Sequence, residues 1–147
     1  MEREKLSAIT DGIISIKPLF YKAFGRPLYQ SSSISPGAYY VLLLLGNCSE
    51  ISMSEIGEKL YISKPNVTTL IDKLIKEGLA ERLPDKQDRR IIKIRLTKKG
   101  SSFVEKNKKI FREHINEKLL ILSEEELERF VSSLRTFSEM LTKISSY

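Results

Sequence analysis

Segment 52–100 places two short helical patterns directly before a strand-like alternation, and few small folds contain that order. Ser52 and Glu55 have the spacing of a capping box, which predicts a short helix over 53–60. The residues YIS that follow predict a turn, and Ser63 is the expected N-cap of a second helix. Two short helices joined by such a turn form a helix-turn-helix.

The second helix, KPNVTTLIDKLIKEG, ends at Gly78 in the C′ position and has two distinct faces. One face is apolar and is formed by Val67, Leu70, Ile71 and Leu74. The opposite face carries amide, hydroxyl and ammonium groups, which can bond base edges and phosphate oxygens in a major groove. A surface helix with no partner has the same polarity, but a Thr and an Asn near the N-terminal end favour readout of bases.

After Gly78 the helical period gives way to strand-like alternation. LAERL predicts a short strand, PDKQDR a turn, and RIIKIRL a second strand in which Ile92, Ile94 and Leu96 alternate with basic residues. A hairpin directly after a recognition helix is a wing. The residues therefore predict a winged helix-turn-helix region over 35–97.

Long amphipathic helices are predicted on both sides of this region. The first, over 2–24, has an apolar stripe, and Pro18 predicts a kink or break near 14–17. Residues 25–37 predict a loop that ends in the N-cap Ser35, before a buried helix over 37–46. On the other side, Thr97 is expected to cap a helix over 98–121.

The last predicted helix, 124–144, starts at a capping box and carries a heptad seam. The seam residues are Leu127, Phe130, Leu134, Phe137, Leu141 and Ile144. They require an apolar partner, which is either the first helix of the same chain or a second copy. Two long terminal helices around a compact centre favour a two-fold dimer, so 1–34 and 98–147 are the predicted dimerisation helices.

The net positive charge of the chain is confined to one block. Between Tyr61 and Gly100 there are eleven Lys and Arg residues against five Asp and Glu, a net of +6, which equals the net charge of the whole chain. A block of this kind is expected of a surface that binds a polyanion, because each neutralised phosphate releases counterions. The alternative is a basic face that only contacts solvent.

Several function classes are excluded by what the sequence does not contain. One cysteine, Cys48, and one histidine, His114, leave no disulfide framework and no zinc site, and no cofactor motif is present. No catalytic motif appears either, so we expect no enzyme activity. The longest apolar run, 39–45, is too short to span a bilayer, and the N-terminus lacks a signal peptide. A cytoplasmic protein without membrane contact is expected.

Two stretches resemble the MarR family of bacterial and archaeal winged helix-turn-helix regulators, and the resemblance extends over nearly the whole chain. They are SMSEIGEKLYISKPNVTTLIDKLIKEGLAER at 52–82 and DKQDRRIIKIRLTKKG at 85–100. The second contains Asp, two variable residues, Asp-Arg-Arg, an alternating strand and Leu-Thr-x-x-Gly, in that order. The resemblance implies one MarR-type domain over 1–147. Its fold would be mainly α, with a small β-hairpin wing and flanking dimerisation helices.

The resemblance also implies how DNA is bound. A homodimer would contact a pseudo-palindromic double-stranded operator, with each recognition helix in a major groove and each wing tip in the adjacent minor groove. Arg90 would insert there, oriented by Asp88, while Lys86 and Arg89 lie beside phosphates and Gln87 adds a polar contact. The contacting helix positions would be Ser63, Lys64, Pro65, Asn66, Thr68, Thr69 and Lys73. Asn66 and Thr69 are the expected base contacts, and Lys64 and Lys73 the expected phosphate contacts.

The resemblance further implies a repressor, the commoner role in the family, that is relieved by a small aromatic or anionic effector. The expected pocket residues are Lys17, Phe20, Tyr21, Tyr39 and Tyr40. Two alternatives stay open. Cys48 would act as the thiol of an oxidant sensor, or the winged helix would serve only as a protein-interaction module, with binding insensitive to salt.

Overall fold

A computed structural model describes residues 2–25, 34–85, 87–88 and 90–146. The described residues form six helices and three strands, which confirms a mainly α fold with a small sheet. In chain order these are α1 (Glu2–Phe24), α2 (Pro36–Gly46), β1 (Ile51–Ser52), α3 (Met53–Leu60), α4 (Lys64–Lys76), β2 (Ala80–Pro84), β3 (Ile92–Leu96), α5 (Lys98–Leu119) and α6 (Glu124–Ser145). The chain divides into two compact units, a central unit of residues 26–111 and a terminal unit of residues 1–25 and 112–147.

The core of the central unit is built around α2. This helix is apolar on nearly all sides because helices and the sheet surround it, and its Val41, Leu42 and Leu45 are buried. Helices α3 and α4 are amphipathic, and each packs its apolar face against the same core. The buried side chains of the unit include Ile56, Val67, Ile71, Leu74, Ile94 and Val104.

The sheet has three antiparallel strands in the order β1-β3-β2. The predicted hairpin is present, with Arg82 opposite Ile94, and β1 adds a pair in which Ile51 lies opposite Ile94. The sequence pattern did not predict β1, because a strand of two residues leaves no alternation to recognise. Ile92 was expected on the apolar face, but it is 38% exposed because β3 extends past the core toward the wing tip.

Local capping explains where α3 begins and ends. Ser52 Oγ accepts the Glu55 N–H at 3.2 Å, and the Glu55 carboxylate accepts the Ser52 N–H at 2.9 Å, so the predicted capping box is confirmed. The Ser52 hydroxyl and the Ser52 N–H both stabilise the charged Glu55 carboxylate and so lower its pKa. The helix ends at Tyr61, whose φ of 54° lies in the left-handed region. The same device follows α4, where Gly78 has a φ of 70°.

Helix α5 starts in unusually close contact with the backbone that leads into β2. The Thr97 N–H donates to the Leu79 carbonyl at 3.1 Å, and the Thr97 hydroxyl donates to the Gly78 carbonyl at 2.7 Å. That hydroxyl also accepts the Gly100 N–H at 3.0 Å, so Thr97 caps α5 as predicted. A Cβ atom on Gly100 would lie 1.9 Å from the Leu79 carbonyl oxygen. Only glycine therefore fits at this position without a backbone shift.

The terminal unit consists of α1, α6 and the end of α5. Helix α1 is continuous through Pro18, so the predicted break near 14–17 does not occur. His114 is half-buried, and its Nε2 lies 2.8 Å from the Phe24 carbonyl oxygen at the end of α1. The capping box at Ser123 and Glu126 starts α6 as predicted. Among the described residues, none of the helices combines the length and the hydrophobicity of a membrane span.

The long helices of this unit leave their apolar side chains uncovered. Neither α1 nor α6 contains a buried residue among those described. A groove of about 950 Å³ runs between the two helices. Its apolar walls are formed by Ile9, Ile13, Ile16, Phe137, Met140, Leu141 and Ile144. One chain therefore exposes a continuous apolar surface along both helices.

Candidate nucleic-acid interface

Helix α4 has one face in the core and one in solvent, as the sequence predicts. Val67, Ile71 and Leu74 are buried, and Leu70 is partly buried against them. The opposite face exposes most of the expected contact residues, which are Ser63, Lys64, Pro65, Asn66, Thr69 and Lys73, while Thr68 is half-buried. The structure thus places this predicted set on one helix and leaves all but Thr68 accessible.

The N-terminal end of α4 differs from the prediction in one respect. Ser63 occupies the N-cap position, but its side chain makes no capping hydrogen bond. An N-cap hydroxyl bonds the N–H of the second or third helical residue, and the second is Pro65, which has none. The Ser63 hydroxyl and the Asn66 N–H therefore remain for an external acceptor, at the positive end of the helix dipole.

The two threonines of α4 use their hydroxyl hydrogens inside the helix. Thr68 Oγ1 donates to the Lys64 carbonyl and Thr69 Oγ1 donates to the Pro65 carbonyl, each at 3.1 Å. This bond from residue i to residue i−4 is common for threonine in helices. It leaves each hydroxyl oxygen as an acceptor, and on the exposed Thr69 it also leaves the methyl group free for contact.

An acidic residue on the outer face of α4 is neutralised by the neighbouring strand. Asp72 Oδ1 lies 2.6 Å from Arg82 of β2, and the two side chains are 55% and 43% exposed. The pair reduces the repulsion that Asp72 would exert on phosphate. No sequence pattern predicts this pair, because Arg82 becomes a neighbour of Asp72 only when α4 packs on the sheet. Within the described residues Lys64, Lys73 and Lys76 form no ion pair.

The described part of the wing tip exposes three of the expected contacts, Gln87, Asp88 and Arg90. Two others, Lys86 and Arg89, lie outside the described residues. Asp88 Oδ1 accepts the backbone N–H of Arg90 at 2.9 Å. Between these two described side chains there is no ion pair, so Asp88 contacts the Arg90 backbone and not its guanidinium.

The expected effector residues belong to different units. Lys17, Phe20 and Tyr21 lie on α1, where Phe20 packs against Phe24 with ring centroids 5.1 Å apart. Tyr39 and Tyr40 lie on α2 in the central unit. Tyr39 is part of the core at 7% exposed, and burial raises the pKa of its hydroxyl. A pocket that combines residues of both units stays a prediction.

Cys48, the thiol of the alternative hypothesis of an oxidant sensor, lies just after α2. Its N–H donates to the Leu45 carbonyl at 3.3 Å, and the free thiol is half-buried. An oxidant-sensing thiol is usually exposed and close to a positive charge. This position gives no specific support to an oxidant sensor.

Comparisons with known proteins agree with this geometry. A sequence profile of the MarR family matches residues 34–92. The transcriptional regulator MhqR of Bacillus subtilis is 30% identical over 105 residues, which are 69% of this chain and 70% of MhqR. A MarR family structure from Bacillus stearothermophilus matches with a TM-score of 0.79 at 24% identity, over 95% of this chain and 97% of that one. The structure of FabT of Streptococcus pneumoniae in complex with DNA matches with a TM-score of 0.66 at 23% identity, over 97% of this chain and 96% of that one.

Proposed function

Because the chain belongs to the MarR family, it is a DNA-binding transcriptional regulator, and we propose that it binds a pseudo-palindromic operator as a homodimer. The observation that carries this proposal is the outer face of α4. That face presents cationic, amide and hydroxyl groups, while its one acidic side chain, Asp72, is paired with Arg82. A surface of this kind suits the major groove of double-stranded DNA.

The contacts on α4 divide by chemistry. Lys64 and Lys73 bind phosphates, together with the Ser63 hydroxyl at the helix N-terminus. Asn66 and Thr69 contact base edges, and Pro65 and Thr68 lie beside them. Phosphate contacts fix the register of the helix on the duplex, whereas the base contacts distinguish sequences.

The wing supplies the second set of contacts. Arg90 enters the minor groove, where a narrow groove concentrates negative potential that a planar guanidinium can occupy. Lys86 and Arg89 bind the flanking phosphates, and Gln87 adds a polar contact. Asp88 holds the Arg90 backbone in the free protein, and it orients the side chain when DNA is bound.

The dimer forms through the terminal unit. Helices α1 and α6 expose long apolar stripes that include Ile9, Ile13 and Leu134. Exposed apolar surface of this extent indicates a protein interface, and a second copy offers the self-complementary surface that a two-fold axis requires. The dimer then presents two winged units to the two half-sites of one operator.

The regulator acts in the cytoplasm as a repressor that a small aromatic or anionic effector releases from DNA. Its binding residues are the aromatic side chains and the lysine given by the family resemblance, Lys17, Phe20, Tyr21, Tyr39 and Tyr40. The effector would act by binding more tightly to the conformation with low DNA affinity.

Footprinting of the purified protein on the DNA upstream of its own gene tests this function. We expect two protected half-sites related by two-fold symmetry, with centres about 10 base pairs or a multiple of that apart. Affinity should fall steeply with salt and should exceed that for unrelated DNA by about a thousandfold or more. Protection without symmetry, or equal affinity for all sequences, would contradict the proposal.

A further inference from the structure

Among the described residues of the wing tip, several hydrogen bonds converge on Asp85. Asp85 Oδ1 accepts the N–H of Gln87 at 2.8 Å and the N–H of Asp88 at 2.9 Å. The Asp85 N–H donates to the Ile91 carbonyl at 3.0 Å and so closes the base of the tip. Asp88 in turn accepts the Arg90 N–H at 2.9 Å. Asp85 thus holds the backbone N–H of Asp88, and Asp88 holds that of Arg90.

The other oxygen of this carboxylate is held by a lysine of the sheet. Lys93 Nζ lies 2.8 Å from Asp85 Oδ2, and Glu50 Oε2 is 4.0 Å from the same ammonium group. Lys93 belongs to the central strand β3, where it lies opposite Leu83 on one side and Ser52 on the other. The wing tip is therefore tied to the strand that has partners on both sides.

This pair is more shielded from water than the other ion pairs near the interface. The Asp85 and Lys93 side chains are 12% and 32% exposed, whereas Asp72 and Arg82 are 55% and 43% exposed. Charged pairs with less solvent contact are screened less by salt. The Lys93–Asp85 contact is accordingly the better candidate for a fixed structural link.

The charge state of the pair agrees with its geometry. The Lys93 ammonium and the N–H groups of Asp88 and Gln87 lower the pKa of Asp85 to about 2. The same carboxylate, with Glu50 and Glu55 nearby, raises the pKa of Lys93. Both groups are therefore charged at every pH at which DNA binding would be measured.

We propose that Lys93 and Asp85 act as a clamp that positions the wing for DNA, with Lys93 as a positioning residue and not as a phosphate contact. The clamp holds the Asp85 carboxylate, which orders the tip and sets the backbone of Arg90 before DNA arrives. Ordering a loop in its bound conformation raises affinity because less conformational entropy is lost on binding. This inference rests on the proposed function of the wing.

In the first test, the clamp and simple electrostatics predict opposite changes in operator affinity. Asp85→Asn keeps an oxygen that accepts the two N–H groups but removes the charge that holds Lys93. Removing a carboxylate near DNA should by itself tighten binding. The clamp predicts the opposite, an operator affinity weaker by about tenfold. Glu81→Gln, the matched control, removes a carboxylate that pairs with Arg95 on the same hairpin, and it should bind as tightly as the natural protein or more tightly. Tighter binding by Asp85→Asn would overturn the proposal.

The second test separates positioning from phosphate contact. Lys93→Met should weaken operator binding by about tenfold at every salt concentration, with an unchanged salt slope. A slope lower by about one would mean that Lys93 contacts a phosphate, and the clamp would be wrong. The double variant Asp85→Asn/Lys93→Met should bind no more weakly than the weaker single variant, because both changes break one contact. Additive losses would contradict this.

A third test needs no DNA and so separates this inference from the proposed function. In the full-length natural protein, the amide resonances of Gln87 and Asp88 should titrate with the Asp85 pKa of about 2. In Lys93→Met the midpoint should rise toward the ordinary aspartate pKa of about 3.9. An unchanged midpoint would refute the clamp. If the midpoint rises but Arg90→Ala leaves affinity unaltered, the clamp stands and the proposed wing contact fails.

Discussion

Asp72 and Asp85 carry the same charge on the same basic region, yet their surroundings give them different tasks. Asp72 accepts a hydrogen bond from one side chain, that of Arg82, and this ion pair neutralises a charge on the outer face of α4. Asp85 pairs with the Lys93 side chain and accepts hydrogen bonds from the backbone N–H groups of Gln87 and Asp88, so it holds the backbone of the wing. Charge alone does not separate the two roles, whereas the hydrogen-bond partners do.

Arg90 is the residue whose loss should affect binding most directly. Arg90→Ala should weaken operator binding at physiological salt by about 1–3 kcal/mol, because a groove contact and a positive charge are lost together. Circular dichroism and size-exclusion chromatography should show an unchanged folded dimer. A binding titration at controlled salt measures the effect.

The matched control for this prediction is Arg95→Ala. It removes the same charge from β3, where Arg95 pairs with Glu81 at 2.7 Å. Its affinity should fall much less than that of Arg90→Ala. Equal losses in both variants would mean that net charge, and not position, determines binding by the wing.

The roles of some of these residues were predicted from the sequence alone, and those of others were not. The expected contacts on α4 come from the family resemblance, and all but Thr68 are exposed in the structure. The Lys93–Asp85 and Arg82–Asp72 pairs were not predicted, because each joins residues whose proximity arises from sheet pairing or helix packing. The absent Ser63 cap was predictable in principle, since Pro65 removes one of the two usual donors.

At the scale of elements, the Leu-Thr-x-x-Gly pattern has a physical explanation. Thr97 joins the start of α5 to the carbonyls of Gly78 and Leu79, and this draws the helix onto the backbone before β2. At that distance no side chain fits on Gly100. The Lys99 ammonium also donates to the Glu77 carbonyl at 2.6 Å, which satisfies an acceptor at the end of α4.

Gly100→Ala should therefore destabilise the protein although alanine is the better helix former. The added methyl group meets a backbone carbonyl that cannot rotate away, and overpacking of this kind costs about 3 kcal/mol or more. Urea denaturation at fixed protein concentration measures the loss. Ser101→Ala, an exposed change in the same helix, should alter the free energy of unfolding by less than about 0.5 kcal/mol. If the two variants unfolded at the same urea concentration, the close contact would not exist in solution.

The elements themselves were predicted well where periodicity was long and capping explicit, as in α3, α4 and α6. Two features departed from prediction. Strand β1 was missed because its two residues carry no period. The break that was one of the two outcomes expected of Pro18 in α1 does not occur, because Pro18 removes only one hydrogen bond from a helix of 23 residues.

For the molecule as a whole, the decisive property is the uncovered apolar surface of the terminal unit. The heptad seam indicated that α6 requires a partner. Within one chain, α1 lies across the groove from α6 and still leaves both helices without a buried residue among those described. The surface is proposed to close only in a dimer, which no pattern within a single chain can demonstrate.

Leu134→Glu places a charge on this surface and should break the proposed dimer. Burying an unpaired carboxylate is unfavourable enough to shift the chain to monomer at micromolar concentration. Operator affinity should then fall on the order of 100-fold, because the two half-sites are no longer bound by one molecule. Analytical ultracentrifugation and operator titration measure the two effects. Glu139→Gln, outside the groove and the seam, should stay dimeric, and a dimeric Leu134→Glu would contradict the proposed interface.

The threonines of α4 have a consequence for the operator itself. The Thr69 hydroxyl hydrogen is donated to the Pro65 carbonyl, so toward DNA this residue offers only an acceptor oxygen and a methyl group. At the proposed Thr69 contact, the base should therefore present an amino group, as adenine and cytosine do, or the methyl group of thymine. Guanine offers only acceptors in the major groove and should be excluded. Selection of binding sites from random DNA should show one position depleted in guanine, and Thr69→Ala should restore guanine there.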